Sequence, residues 1–223
     1  MYRVIPIALG VLSVLGISGA FAQELPVIHD MHYADLSPDG SQIAFSYQGD
    51  LWVADLNEQG QGVARRLTVH MAYDCRIRFS PDGERIAFSS NRYGGDDIFL
   101  VPAAGGEIER VTHHSAGDVM AEWSPDGTKL LFNAGGRDFR EGAPYEIDLE
   151  SGYVRPLLHD SEHCSATSYS PCGRYVAGVR GGQSWWRKDY KGSGDSDVFI
   201  YDRDTDTMEM LTEDYNGTDN WPV

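Results

Sequence analysis

The chain is 223 residues long and carries 34 acidic against 18 basic side chains, a formal charge of −16 at pH 7. An excess of this kind repels nucleic acid and anionic lipid and favours solubility, so neither is expected as a partner. Three cysteines, Cys75, Cys164 and Cys172, are too few and too irregularly spaced for a disulfide scaffold, and no CxxC pair marks a metal site.

Near the start of the chain Arg3 is followed by an apolar run from Val4 to Ile17 and the small-residue ending Ala20-Phe21-Ala22, the pattern of a secretory signal. Residues 1–22 are therefore read as a leader, and the protein as periplasmic or secreted with Gln23 first. The apolar run of 14 residues falls short of the roughly 20 needed to cross a bilayer. No later stretch is apolar enough to do so, and no membrane span is expected after cleavage. Next come His29, Asp30 and His32, which lack a convergent metal spacing, as does the later pair His113-His114.

From Ser37 onward one pattern repeats. SPDG occurs at Ser37–Gly40, Ser80–Gly83 and Ser124–Gly127, and SPCG at Ser170–Gly173, with starts 43, 44 and 46 residues apart. That period is the length of one four-stranded propeller blade. Pro suits the second position of a type I turn, and Gly follows where the chain leaves with positive φ. Apolar residues on both sides, such as Ile77 and Phe79 before the second copy and Ile86 to Phe88 after it, predict two strands meeting at the turn.

A third strand follows each copy: Asp50–Val53, Asp97–Val101, Ala143–Ile147 and Asp197–Tyr201. A fourth ends at Arg66-Leu67-Thr68, Arg110-Val111-Thr112, Arg155-Pro156-Leu157 and Met210-Leu211-Thr212. A four-stranded sheet alone leaves both faces wet, so neighbouring blades must cover them. The expected fold is all-β, a propeller arc of four antiparallel four-stranded blades at about 33–68, 75–112, 119–158 and 165–212, with 213–223 opening a fifth. Since closed propellers have about four to eight blades, the surplus strand predicts a truncated six- or seven-bladed ring.

The fourth copy departs from the others. Cys172 replaces the turn Asp, and Gly178 stands where the earlier copies have Phe45, Phe88 and Phe132, so looser packing is expected there. It also carries an insertion, Val179 to Gly194, dense in aromatic and basic residues within an acidic chain. Trp185, Trp186, Arg187, Lys188, Tyr190 and Lys191 are the candidate peptide-binding residues, through stacking, cation–π contact and carboxylate pairing. The alternative is that the tryptophans only plug the loop against the propeller.

Several stretches together carry a family resemblance: Phe79 to Gly83, Ser89 to Ile98, Val101 to Gly106, Thr112 to Ser115, Trp186 to Gly192, and Leu211-Thr212 through Gly217-Thr218-Asp219. With them the mature chain resembles the N-terminal propeller of tricorn-like serine peptidases, within the wider TolB-like group of SPDG-repeat propellers. In that family the first propeller is followed by a second propeller, a PDZ-like domain and a serine catalytic core, and the propellers act as ports for peptides. The resemblance implies part of a peptidase whose catalytic residues lie outside this chain, working with its own downstream domains.

The residues agree with that reading. No GxSxG elbow is present, and the repetition of Asp39, Asp82 and Asp126 at equivalent turns marks them as structural. No catalytic residue, metal or cofactor is expected. The function expected is guidance of oligopeptides to or from a serine site. The competing expectation is a non-enzymatic TolB-like periplasmic scaffold that binds a protein partner.

Overall fold

The computed structural model describes residues 26–137, 142–158, 163–181 and 196–212, together with the backbone of residues 2–4. The first blade comprises β2 (His32–Leu36), β3 (Gln42–Tyr47), β4 (Asp50–Leu56) and β5 (Gly62–Arg66). At its outer edge β1 (Tyr2–Val4), inside the segment read as a leader, pairs antiparallel with Gly62–Ala64 of β5. The second blade is β6 (Asp74–Phe79), β7 (Arg85–Tyr93), β8 (Gly95–Pro102) and β9 (Glu109–Arg110). The third is β10 (Gly117–Trp123), β11 (Lys129–Gly135), β12 (Ala143–Asp148) and β13 (Val154–Pro156). The fourth is β14 (Cys164–Tyr169), β15 (Tyr175–Arg180), β16 (Asp197–Asp202) and β17 (Thr207–Met210). Within each blade the four strands run in sequence order with every pair antiparallel, and the four sheets do not close into a ring. The proposed fifth-blade segment, 213–223, lies outside the described residues.

The repeat turns form as their sequence requires. Gly40, Gly83, Gly127 and Gly173 sit at φ 71°, 73°, 69° and 72°, and the N–H of each donates at 2.8 Å to the carbonyl of the Ser three residues earlier. The turn Asp locks the loop from within. Asp39 Oδ1 accepts from Ser37 Oγ at 2.6 Å and from the Ser41 N–H at 3.0 Å, and Asp126 Oδ1 does the same with Ser124 Oγ and Thr128. In the fourth turn Cys172 Sγ merely lies 3.3 Å from Ser170 Oγ.

Three of the four core clusters sit between blades, because alternate residues of a strand face opposite sides, and the fourth covers the outer face of the first blade with Ile28. Ala44, Leu51 and Val53 of the first blade pack with Ile77, Ile86 and Phe88 of the second. Ala87, Ile98 and Leu100 turn the other way, onto Met120, Leu130, Phe132 and Tyr145 of the third. Leu131 in turn joins Cys164, Ala166, Val176 and Phe199 of the fourth. The innermost strands β2, β6, β10 and β14 meet successively around the arc, and β5, β9, β13 and β17 form its rim.

Each innermost strand carries a bulge, which frees backbone groups from the ladder. Side chains of the preceding blade engage backbone groups of these strands, at the bulge itself for Met120 and Ala166. Asp35 Oδ2 accepts from the Phe79 N–H at 2.8 Å, Ser89 Oγ from Met120 at 2.8 Å, and Asn133 Oδ1 from Ala166 at 2.8 Å while its Nδ2 donates back to the Ala166 carbonyl.

Two sequence expectations need correction. Arg155-Pro156-Leu157 is not in register with Arg66-Leu67-Thr68. Pro156 faces Tyr145 just as Arg66 faces Trp52 and Arg110 faces Phe99, so Leu158 takes the threonine position. Nor is the sheet loose at Gly178, because the fully buried ring of Phe199, its cross-strand partner, fills the space of the missing phenylalanine.

Candidate functional site

Antiparallel order places the SPDG turns at one end of every blade. The turns between second and third strands, and the links from one blade to the next, lie at the other end. The insertion after Gly181 leaves from this second end. Its candidate residues Trp185, Trp186, Arg187, Lys188, Tyr190 and Lys191 fall in 182–195, outside the described residues. What is described is the ground from which they rise.

At this end a polar lattice closes the first two junctions. Between blades one and two, the Leu51 N–H donates to Thr68 Oγ1 at 2.8 Å, and Thr68 Oγ1 donates to Asp74 Oδ2 at 2.6 Å. Asp50 is bridged by Arg66 and accepts from the His70 N–H at 3.0 Å. Arg92 grips both oxygens of Asp74 at 2.9 and 3.1 Å. Asp50 and Asp74 are both buried, and this pairing meets the cost of burying them.

Between blades two and three the pattern recurs. The Ile98 N–H donates to Thr112 Oγ1 at 3.0 Å, Arg110 pairs with Asp97 at 2.7 Å, and Arg137 binds Asp118 through two bonds of 2.9 and 2.6 Å. Burial pushes the Asp97 carboxyl above its ordinary range, against the pull of Arg110.

At the third junction four positions of this pattern differ. Ala143 stands where Asp50 and Asp97 do, Leu158 replaces Thr68 and Thr112, Pro156 replaces Arg66 and Arg110, and Cys164 replaces Asp74 and Asp118. Arg155 turns instead to Glu146, at 2.5 Å, where Arg203 and the Tyr169 hydroxyl also converge. In place of the lattice there is a pocket of about 500 Å³ lined by Gly135, Gly136, Gly142, His163, Cys164, Ser165 and Gly181. The insertion departs from the wall of this pocket at Gly181.

The histidines noted in the sequence lie elsewhere. His29, Asp30 and His32 line a cleft of about 460 Å³ with Tyr47 and Tyr73. Among the described residues no group of three or more His, Cys, Asp or Glu side chains could hold a metal ion. None of the three cysteines, all of them described, forms a disulfide; Cys164 is buried and Cys172 exposed.

Sequence reasoning missed a charged set on the inner strands. Asp35, Arg78 and Glu122 occupy the same position on β2, β6 and β10, two residues before each repeat motif, where the fourth blade has Ser168. Arg78 Nε lies 3.7 Å from Glu122. Burial raises the pKa of both carboxyls, Arg78 opposes the shift, and Asp35 adds to that of Glu122. The fixed offset from SPDG is the signal that could have found them.

Comparison with known proteins bears out the fold and narrows the family. The chain is 26% identical over 193 residues to tricorn protease homolog 1 of Streptomyces coelicolor, a match covering 83% of this chain and 17% of that protein. TolB from Acinetobacter baumannii superposes with a TM-score of 0.64 at 20% identity, over 82% of this chain and 43% of that one. A solved tricorn protease superposes with a TM-score of 0.55 at 16% identity, over 82% of this chain and 16% of that one. At such identities the two structures speak for the fold alone. The model of the tricorn protease N-terminal beta propeller domain matches residues 30–223, and the chain belongs to that family.

Proposed function

We propose that this propeller guides oligopeptides to or from the serine catalytic core of a tricorn-like peptidase, the core being supplied by other parts of the whole protein. The observation that carries the reading is the family match over residues 30–223, in a chain that spans 17% of its curated relative's length. The site favoured for peptide capture is the end of the arc that bears the insertion, where Trp185, Trp186 and Tyr190 offer ring faces and Arg187, Lys188 and Lys191 offer cations. The leader-like residues 1–22 support action in the periplasm or outside the cell, and a secreted product beginning at Gln23 would agree.

The test is replacement of Trp186 and Arg187 by Ala in the full-length protein. Capture of unstructured peptides should weaken while the unfolding temperature stays unchanged. Unaltered capture, or a blade that melts early, would show that the insertion serves structure rather than substrate.

A further inference from the structure

We propose that Glu146, Tyr169 and Arg203, with Arg155 beside them, form a matched contact by which the third blade accepts the fourth and rejects the faces of the other described blades. The inference goes beyond peptide handling and does not rest on it.

The repeat itself creates the need. Blades built on one pattern present similar faces, and misassembly is a characteristic failure of repeat proteins. At the first two junctions three equivalent positions do little to tell one blade from another. Val53 of blade one shares a core cluster with Phe79 and Ala103 of blade two, and Leu100 of blade two shares one with Trp123 and Leu149 of blade three. All six are apolar, so a foreign neighbour would strand no charge at these positions.

At the third junction the same three positions are Glu146, Tyr169 and Arg203. Glu146 lies opposite Leu131 as Val53 lies opposite Ala44 and Leu100 opposite Ala87. Tyr169 directly precedes its repeat motif as Phe79 and Trp123 do, and Arg203 follows Asp202 as Ala103 follows Pro102 and Leu149 follows Asp148.

The three side chains meet. Glu146 is 1% exposed. Its Oε1 accepts from the Tyr169 hydroxyl and lies 2.7 Å from Arg203 Nη2, and its Oε2 accepts from Arg155 Nε and Nη2 at 2.9 and 2.5 Å. Arg203 also donates to the Gly173 carbonyl at 2.7 Å and lies over the Tyr169 ring, 5.4 Å from its centroid. Against burial, the Tyr169 hydroxyl and the two guanidiniums keep the Glu146 carboxyl below its ordinary range.

A satisfied buried ion pair adds little stability over an apolar fit, whereas removal of one partner leaves an uncompensated charge. Such a contact acts mainly through what it excludes. A blade with the face of blade two, Phe79 and Ala103, would leave Glu146 with Arg155 alone. Blade four placed on Val53 or Leu100 would bury Arg203 against an aliphatic side chain. Among the described blades, the native order alone satisfies both surfaces.

The experiment exchanges residues between junctions in the full chain and reads unfolding in urea. Tyr169→Phe with Arg203→Ala gives blade four the face of blade two, and in the presence of Glu146 should raise the unfolding constant about 100-fold or more. Adding Glu146→Val, the residue of blade one, should recover about tenfold or more of that loss, since Val53 already sits opposite an arginine, Arg65. A triple variant no more stable than the double, or a double as stable as wild type, would overturn the proposal. Should the double fail to fold, Tyr169→Phe alone decides. It should lower the urea midpoint in the wild-type chain and leave it unchanged or raise it beside Glu146→Val. Equal losses in the two backgrounds would overturn the matched contact and leave the peptide reading untouched.

Discussion

The ring of Phe199 occupies the space that a side chain at Gly178 would need. A Cβ at that glycine would lie 2.4 Å from Phe199 Cζ and 2.5 Å from the Ser165 carbonyl oxygen. In the other blades both partners of this cross-strand pair are large, as in the stacked Phe88–Phe99 and Phe132–Tyr145 pairs with centroids 5.6 and 5.7 Å apart. Blade four reaches a filled core with one ring where the others use two. Gly178→Ala should therefore destabilise the protein by about 1–3 kcal/mol through overpacking, read as a lower urea midpoint. Combining it with Phe199→Leu should recover part of the loss. A silent Gly178→Ala would mean that the ring moves freely, contrary to its full burial.

Asp35 gives a pH dependence of defined sign. Its folded pKa is raised above 3.8, chiefly by burial and despite Arg78. Its contribution is then fully present below the unfolded pKa and is lost as pH rises through the folded one. Asp35→Asn keeps an acceptor for the Phe79 N–H without the charge. It should be at least as stable as wild type at pH 7, with the advantage vanishing below about pH 4. Asp35→Ala should lose stability at both pH values, because the strap between blades one and two is gone. Melting temperatures across that range decide the matter, and an Asn variant that behaves like the Ala variant at neutral pH would refute it. The turn acids oppose this trend. Asp39 and Asp126 are lowered to about 2 by the Ser37 and Ser124 hydroxyls, so their support is present above the ordinary carboxyl range and is lost as pH falls towards 2.

Asp74 has no accessible side-chain surface and Arg92 only 9%. Asp74→Ala should cost about 3–5 kcal/mol, since it strands a buried guanidinium and removes the acceptor of Thr68. Cys164→Ala, at the equivalent position of the fourth blade, should cost far less, because it removes no buried carboxylate. Equal losses in chemical denaturation would show that the third junction carries a charged lattice after all.

Much of the architecture was legible without coordinates. Pro and Gly constrain φ locally, alternating apolar residues define strands by a period of two, and the recurrence of SPDG makes the unit a blade. These are properties of neighbours in the chain, so their order in the sequence determined the four described blades, their strand order and their turn geometry. The tertiary structure decided what depends on residues meeting across a junction. It placed Pro156 rather than Arg155 opposite Tyr145, filled the gap at Gly178 from the next strand, and gathered Asp35, Arg78 and Glu122 on the inner wall. It also exposed the concerted loss of the lattice between blades three and four. Each of those four substitutions looks unremarkable in its own segment, because the ion pairs they replace join side chains brought together only by sheet register and blade stacking.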